Sequence, residues 1–218
     1  MARMARVVIP GIPHHITQRG NRRQPVFFSD EDYLAYLELL AQWSRQAEMS
    51  VWAYCLMPNH VHIIAVPAHE GSLHAALGEA HRRYSRRVNF REGWRGHLWQ
   101  GRFASFPMDE DHTLRAVRYV ELNPVRAKLV QRAPDWRWSS ARAHITGAPD
   151  TLAETQALAE HIIDWEAYLE ESEMEVFRRH ERTGRPLGDT AFLHKLERLC
   201  GRTLTPQKRG PKTSNLSA

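Results

Sequence analysis

His60 and His62, separated by a single apolar residue, occur in the run MPNHVHIIAVP, and Tyr119 lies downstream in RAVRYVELNPVRAKLV. Side chains alternate across a strand, so on a strand both imidazoles face one side and can share a cation while Val61 faces the core. On a helix Tyr119 and Asn123 stand four apart on one face, so a phenol and an amide oxygen can approach the same cation. Such a set suits phosphodiester chemistry. A tyrosine oxygen attacks phosphorus, a divalent cation offsets the charge on the non-bridging oxygens, and a 5′-phosphotyrosine conserves the bond energy for rejoining. No GxxxxGK[ST] phosphate loop is present, in keeping with a reaction that needs no nucleotide. Such ligands suit Mg2+ or Mn2+, with histidine leaning toward Mn2+. The plain alternative makes HVH the polar rim of an amphipathic strand and Tyr119 a core aromatic.

The elements that must position these residues are legible in outline. HHITQRG reads as a first strand ending at Gly20-Asn21, with His14 and His15 on opposite faces, so that at most one looks toward the site; a core or DNA-contact role is preferred for both. Ser29 caps a helix with acidic residues in its first turn and a stripe of Tyr33, Leu37, Leu40 and Trp43. Residues 51–57 and 61–66 form a hairpin through Pro58-Asn59, with His60 at the mouth of its second strand. A second helix fits 72–89, a fourth strand 99–106, and a third helix runs from Asp109 to Asn123, where Pro124 stops or kinks it. The order β-α-β-β-α-β-α predicts an α+β fold, a ferredoxin-like split βαβ sandwich whose antiparallel sheet carries helices on one face. Residues 1–130 form this domain and 131–205 a helical extension packed on it. That extension has a helical stretch at 151–182 and a short helix with Phe192, Leu196 and Leu199, the two resembling a helix-turn-helix pair. Residues 206–218 read as a basic flexible tail.

Charge adds a second theme. Lys plus Arg number 30 against 25 Asp plus Glu in 218 residues. Arg82, Arg83, Arg86, Arg87, Arg91, Arg95 and Arg102 cluster with Tyr84, Phe90, Trp94 and Trp99. Guanidinium groups for phosphates and aromatic faces for stacking are what single-stranded nucleic acid requires; a solvated helix face with tryptophans in the core is the alternative. Arg19, Asn21 and Arg22 follow the first strand in a loop that reaches phosphate or an exposed base, or is simply solvated. Tyr84, amid these arginines, is a rival nucleophile, and Tyr54 reads as core. No run approaches the roughly eighteen apolar residues of a membrane span, and MARMARVVIPGIPHHI lacks the apolar stretch of a signal peptide, so a cytoplasmic location is expected. Cys55 and Cys200 give no CxxC pair and no disulfide framework.

The segments PHHITQRGNRRQPVFF, MPNHVHIIAVP, WQGRFASFPMDED, RYVELNPVRAKLV and GRPLG with FLHKLE together resemble the REP-associated tyrosine transposases, a branch of the IS200/IS605-like single-tyrosine transposases. The resemblance spans nearly the whole chain. It implies a metal-dependent endonuclease and strand transferase acting on single-stranded DNA hairpins of repeated extragenic palindromes. Tyr119 would be the nucleophile, His60 and His62 the metal ligands and Asn123 the third ligand, where better-known members carry glutamine. The extension would grip a hairpin or block two-subunit assembly, which favours a monomer. A replication-initiator nickase, a hairpin-binding regulator without turnover, and a hydrolase in which HVH activates water are the competing functions.

Overall fold

The computed structural model describes residues 6–170 and 176–205. The expected tail, 206–218, lies outside them. Four strands, β1 (His14–Arg19), β2 (Met49–Met57), β3 (His60–Pro67) and β4 (Ala104–Pro107), form one antiparallel sheet in the order β2-β3-β1-β4. Helices α1 (Asp30–Gln46) and α2 (Ser72–Glu92) make the two crossovers, and α3 (Glu110–Glu121) follows the last strand. This is the split βαβ sandwich read from the sequence. Beyond it come α4 (Asn123–Arg126), α5 (Ala141–Thr146), α6 (Trp165–Glu170), α7 (Val176–Thr183) and α8 (Thr190–Cys200).

Period-two alternation sorts the sheet into two cores. Ile16, Tyr54, Leu56, Val61, Ile63 and Ala65 face α1 and α2, meeting Leu37, Leu40, Leu77 and Tyr84. Ala53, Cys55, Met57, Ile64 and Phe106 face the other way, against Val117 and Val120 of α3 and Phe177 of α7. Helices therefore cover both faces, and the second cover comes partly from the extension. A third cluster joins Val7 and Ile9 to Leu196 and Leu204. Because α7 packs against β4 and α8 against the N-terminal segment, the two helices do not form a helix-turn-helix pair.

Boundaries differ from the sequence expectation where glycine and proline act. Residues 99–103 are not strand: Gly101 takes φ +67, and only Trp99 bridges to Gly20 before β4 begins at Ala104. Asp109 caps α3 by accepting from the His112 N–H at 2.9 Å. That helix ends at Glu121, and Pro124 sits in the first turn of α4, so Asn123 opens the next helix instead of closing this one. Within the expected helical stretch at 151–182 the described residues hold a 3-10 turn, α6 and α7. Among the described residues no helix is long and apolar enough to cross a membrane.

Two buried histidines make the fold acid-sensitive. His14 Nδ1 donates to the Ile12 carbonyl at 2.7 Å while its Nε2 accepts from the Ile9 N–H at 3.3 Å, and His81 Nε2 accepts from the Tyr36 hydroxyl at 2.9 Å. Burial holds the imidazoles neutral, pushing His14 down to about 4 and His81 to about 3. Since both folded values lie below the unfolded 6.5, the unfolded chain binds the protons first. Stability should fall as pH drops from 6.5 toward 4, by about 1.4 kcal/mol per pH unit for each imidazole. Denaturant melts across that window check this; a flat profile would count against it.

Candidate active site

The pairing of β1 with β3 decides which side chains meet. Thr17 stands opposite His62 and Arg19 opposite His60, so His15, Arg19, His60 and His62 share the face toward α3. His15 lies diagonally from His62, and the rings stack at 5.2 Å with His15 Nε2 3.0 Å from His62 Nδ1. His14 points to the opposite face. Of the two neighbouring histidines, the structure selects His15 for the site.

His60 is half-buried and His62 buried, with ring centroids 5.0 Å apart. Asn59 Nδ2 donates to the Arg23 carbonyl at 3.0 Å, which fixes the amide so that Oδ1 faces His60 Nδ1 at 2.6 Å. An amide oxygen only accepts, so His60 carries its proton on Nδ1 and leaves the Nε2 lone pair available. Burial, with Arg19 and Arg126 adding to it, pushes His60 down to about 4. Burial together with His60 and His15 holds His62 well below its ordinary range. Neutral imidazoles with open lone pairs are the state in which histidine binds metal.

Helix α3 brings Tyr119 to the same place. Its buried ring stands 5.6 Å from that of His62, 5.9 Å from His15 and 5.1 Å from Phe177. The Arg126 guanidinium lies 4.2 Å above the ring and donates to the Tyr119 carbonyl at 3.3 Å. From α7, Glu181 Oε1 accepts from the Tyr119 hydroxyl at 3.5 Å and lies 3.8 Å from His62 Nδ1. Asn123 is buried at the start of α4, its Nδ2 without a hydrogen-bond partner.

Two further tyrosines are committed elsewhere. Tyr84, on the opposite face of the sheet, donates to the Val26 carbonyl at 2.6 Å, and Tyr54 donates to Asp150 at 3.0 Å. Burial pushes both phenols well above their ordinary range. The rival nucleophile is thus a core residue.

The loop after β1 is tied to the histidine turn. Gly20 donates to the Asn59 carbonyl at 2.8 Å and Val26 to the Pro58 carbonyl at 2.8 Å, and a Cβ at Gly20 would collide with the Gln24 carbonyl oxygen. Arg22 and Arg23 hold φ of 53° and 62°, a left-handed conformation that these contacts maintain. Asn21 donates to the Leu98 carbonyl and Gln100 to that of Arg19, both at 2.8 Å, which brings the loop bearing Arg102 to this end of the sheet.

Arg82, Arg83, Arg86 and Arg87 are exposed on α2, on the far side of the sheet from Tyr119, where they line a groove of about 510 Å3 with Phe90. Arg82 and Arg83 also bind Glu79. Arg91 forks onto buried Asp32, at 3.0 Å through Nη2, and so serves the fold. Of the interleaved aromatics, Tyr84 and Trp99 are core, whereas Phe90 is 90% and Trp94 44% exposed.

Sequence reasoning missed Glu181, Arg126 and Phe177. Arg126 lies in the NPVR run but is seven residues from Tyr119, reached only because α4 turns back. Nothing local in FRRHERT marks Glu181, since its partner is 62 residues away.

No curated protein matches the chain. Among solved structures it is similar to a REP-associated tyrosine transposase bound to a REP hairpin, at 20% identity over 69% of this chain and 90% of that one, TM-score 0.55. A protein from Deinococcus radiodurans R1 aligns at 21% identity over 55% of this chain and 96% of that one, TM-score 0.39. The family described as transposase IS200-like matches residues 9–123, a span that runs from the segment before His14 through the histidine strand and the tyrosine helix to Asn123. With the sheet, the histidine pair and the helix-borne tyrosine all inside a match that covers more than half of the 218 residues, this chain belongs to the IS200-like transposase family.

Proposed function

We propose that the chain is a divalent-metal-dependent nickase and strand transferase of the REP-associated branch, acting on single-stranded DNA hairpins through a covalent tyrosine. The observation that carries this reading is the meeting of the Tyr119 ring with the His62 and His15 rings at 5.6 and 5.9 Å inside one chain. Tyr119 Oη attacks phosphorus, forming a 5′-phosphotyrosine while the P–O3′ bond breaks; the phenol gives up its proton and the 3′ oxygen leaves as a hydroxyl. Rejoining reverses the step with a 3′ hydroxyl as attacker. His60, His62 and Asn123 are the proposed ligands of Mg2+ or Mn2+, which when bound offsets charge on the non-bridging oxygens. The neutral imidazoles and the His60 tautomer fit that role. Because the histidine strand and the tyrosine that meet at the centre belong to one chain, the working unit is a monomer, acting in the cytoplasm.

Arg19, Asn21 and Arg22 flank the histidine end of the sheet and are read as contacts to DNA entering the site. Arg82, Arg83, Arg86, Arg87 and Arg102 are read as a track for the hairpin backbone. The test of the reading is a labelled hairpin incubated with Mn2+ and examined on a denaturing gel. A protein-DNA adduct supports it, whereas binding without cleavage points to a regulator. The basic track makes a separate prediction about salt. Log affinity for single-stranded DNA should fall steeply with log salt, and Arg86→Ala with Arg87→Ala should flatten the slope by roughly 1.4, about 0.7 for each phosphate that is no longer neutralised. An unchanged slope in a filter-binding titration would sink the track.

A further inference from the structure

Helix α7 carries an acidic side chain into a cluster of imidazoles. His15 Nε2 and His62 Nδ1 stand 3.0 Å apart, Glu181 Oε1 lies 3.8 Å from His62 Nδ1, and all three atoms fall within 4.8 Å of one another. Ligands about 2.1 Å from a common cation are separated by about 3.0–3.4 Å, so these distances need little adjustment to surround one ion. His15 is fully buried among Phe106, Tyr119 and Phe177, and its Nδ1 has no hydrogen-bond partner. An imidazole placed there without satisfying both nitrogens is costly as packing. As a ligand it has a use.

We propose that Glu181, supplied by the extension, adds a carboxylate ligand to the cation that His60 and His62 hold, with His15 as a further imidazole beside His62. The proposal deepens the nuclease reading and rests on it for the cation's role in DNA cleavage. A shell of imidazoles with a carboxylate favours Mn2+ or Fe2+ over Mg2+, which prefers an all-oxygen shell. The same carboxylate accepts from Tyr119, so it would seat the phenol beside the ion. The extension then completes the centre instead of merely packing on it.

The experiment is a Mn2+ titration of the full chain, followed by the electron paramagnetic resonance signal of free Mn2+. The wild type, Glu181→Gln, Glu181→Ala and the exposed-site control Glu160→Gln are compared, and thermal melts report folding. Glu181→Ala should weaken Mn2+ binding by about tenfold or more, Glu181→Gln by less, and the control not at all. Wild-type affinity in both Glu181 variants, or no Mn2+ binding by the wild type, overturns the proposal. So does faster adduct formation by Glu181→Ala at unchanged Mn2+ affinity, because the carboxylate would then be obstructing Tyr119. If the wild type forms an adduct while Glu181→Ala binds Mn2+ normally, the nuclease reading stands and this ligand falls. If Glu181 governs Mn2+ affinity but no adduct forms, the ligand stands and the nuclease reading falls.

Discussion

Tyr119→Phe is expected to abolish the protein-DNA adduct and lower hairpin cleavage by a factor of at least ~10^4, while leaving the fold and hairpin affinity intact. Phenylalanine keeps the ring, and the ring makes the contacts: His15, His62 and Phe177 surround it, and Arg126 lies over its face. Only the hydroxyl is removed. Its 3.5 Å contact with Glu181 is at the long end for a hydrogen bond, so stability should change by about 1 kcal/mol or less. Losing the nucleophile itself leaves only binding and electrostatics to accelerate the reaction. Tyr84→Phe is the matched control: it removes a buried 2.6 Å hydrogen bond to Val26 and should cost about 1 kcal/mol of stability, with adduct formation retained. Cleavage that persists in Tyr119→Phe would instead assign the chemistry to a water molecule.

The largest stability effect is expected at Glu121, two residues beyond Tyr119 on α3. Its Oε1 accepts from Ser140 Oγ and from His144 Nδ1, each at 2.6 Å, and both the Glu121 and His144 side chains are fully buried. Ser140 also receives the Tyr54 N–H at 3.0 Å, and the His144 ring stacks on Trp165 at 4.1 Å. One carboxylate thus ties the tyrosine helix to β2, α5 and α6. Glu121→Ala leaves buried donors without their acceptor and should cost about 3–5 kcal/mol, a drop of roughly 6–20 °C in melting temperature for a chain of this size. Replacing the pair together, Glu121→Leu with His144→Phe, should recover part of the loss because neither polar partner of the pair is then left buried alone. A loss below about 1 kcal/mol in Glu121→Ala would show that the pair does not hold the helix.

Much of the catalytic half is legible in the sequence because its signals are local. HVH on a strand and a tyrosine on a helix follow from periods of 2 and 3.6, and the turn at Pro58-Asn59 sets the hairpin register. The sequence overextends the fourth strand because WQGRFASF has strand-like composition, while the left-handed Gly101 and the packing of Trp99 on His81 and Tyr84 are tertiary facts. Spacing alone makes Asn123 the end of the tyrosine helix; Pro124 instead places it at the start of α4. In the arginine segment, composition does not separate exposed Phe90 and Trp94 from buried Tyr84 and Trp99.

The sequence by itself determined the alternation that puts His60 and His62 on one face, the split βαβ order, and Tyr119 on the helix after the last strand. Each depends on residues a few positions apart. Only the tertiary structure decided that His15 and not His14 joins them, because the β1–β3 register sets which neighbour looks inward. It also decided that Glu181 enters the site from α7. That contact links positions 62 residues apart, and no local periodicity encodes where a returning helix will lie; packing against Tyr119 and His15 through Phe177 does.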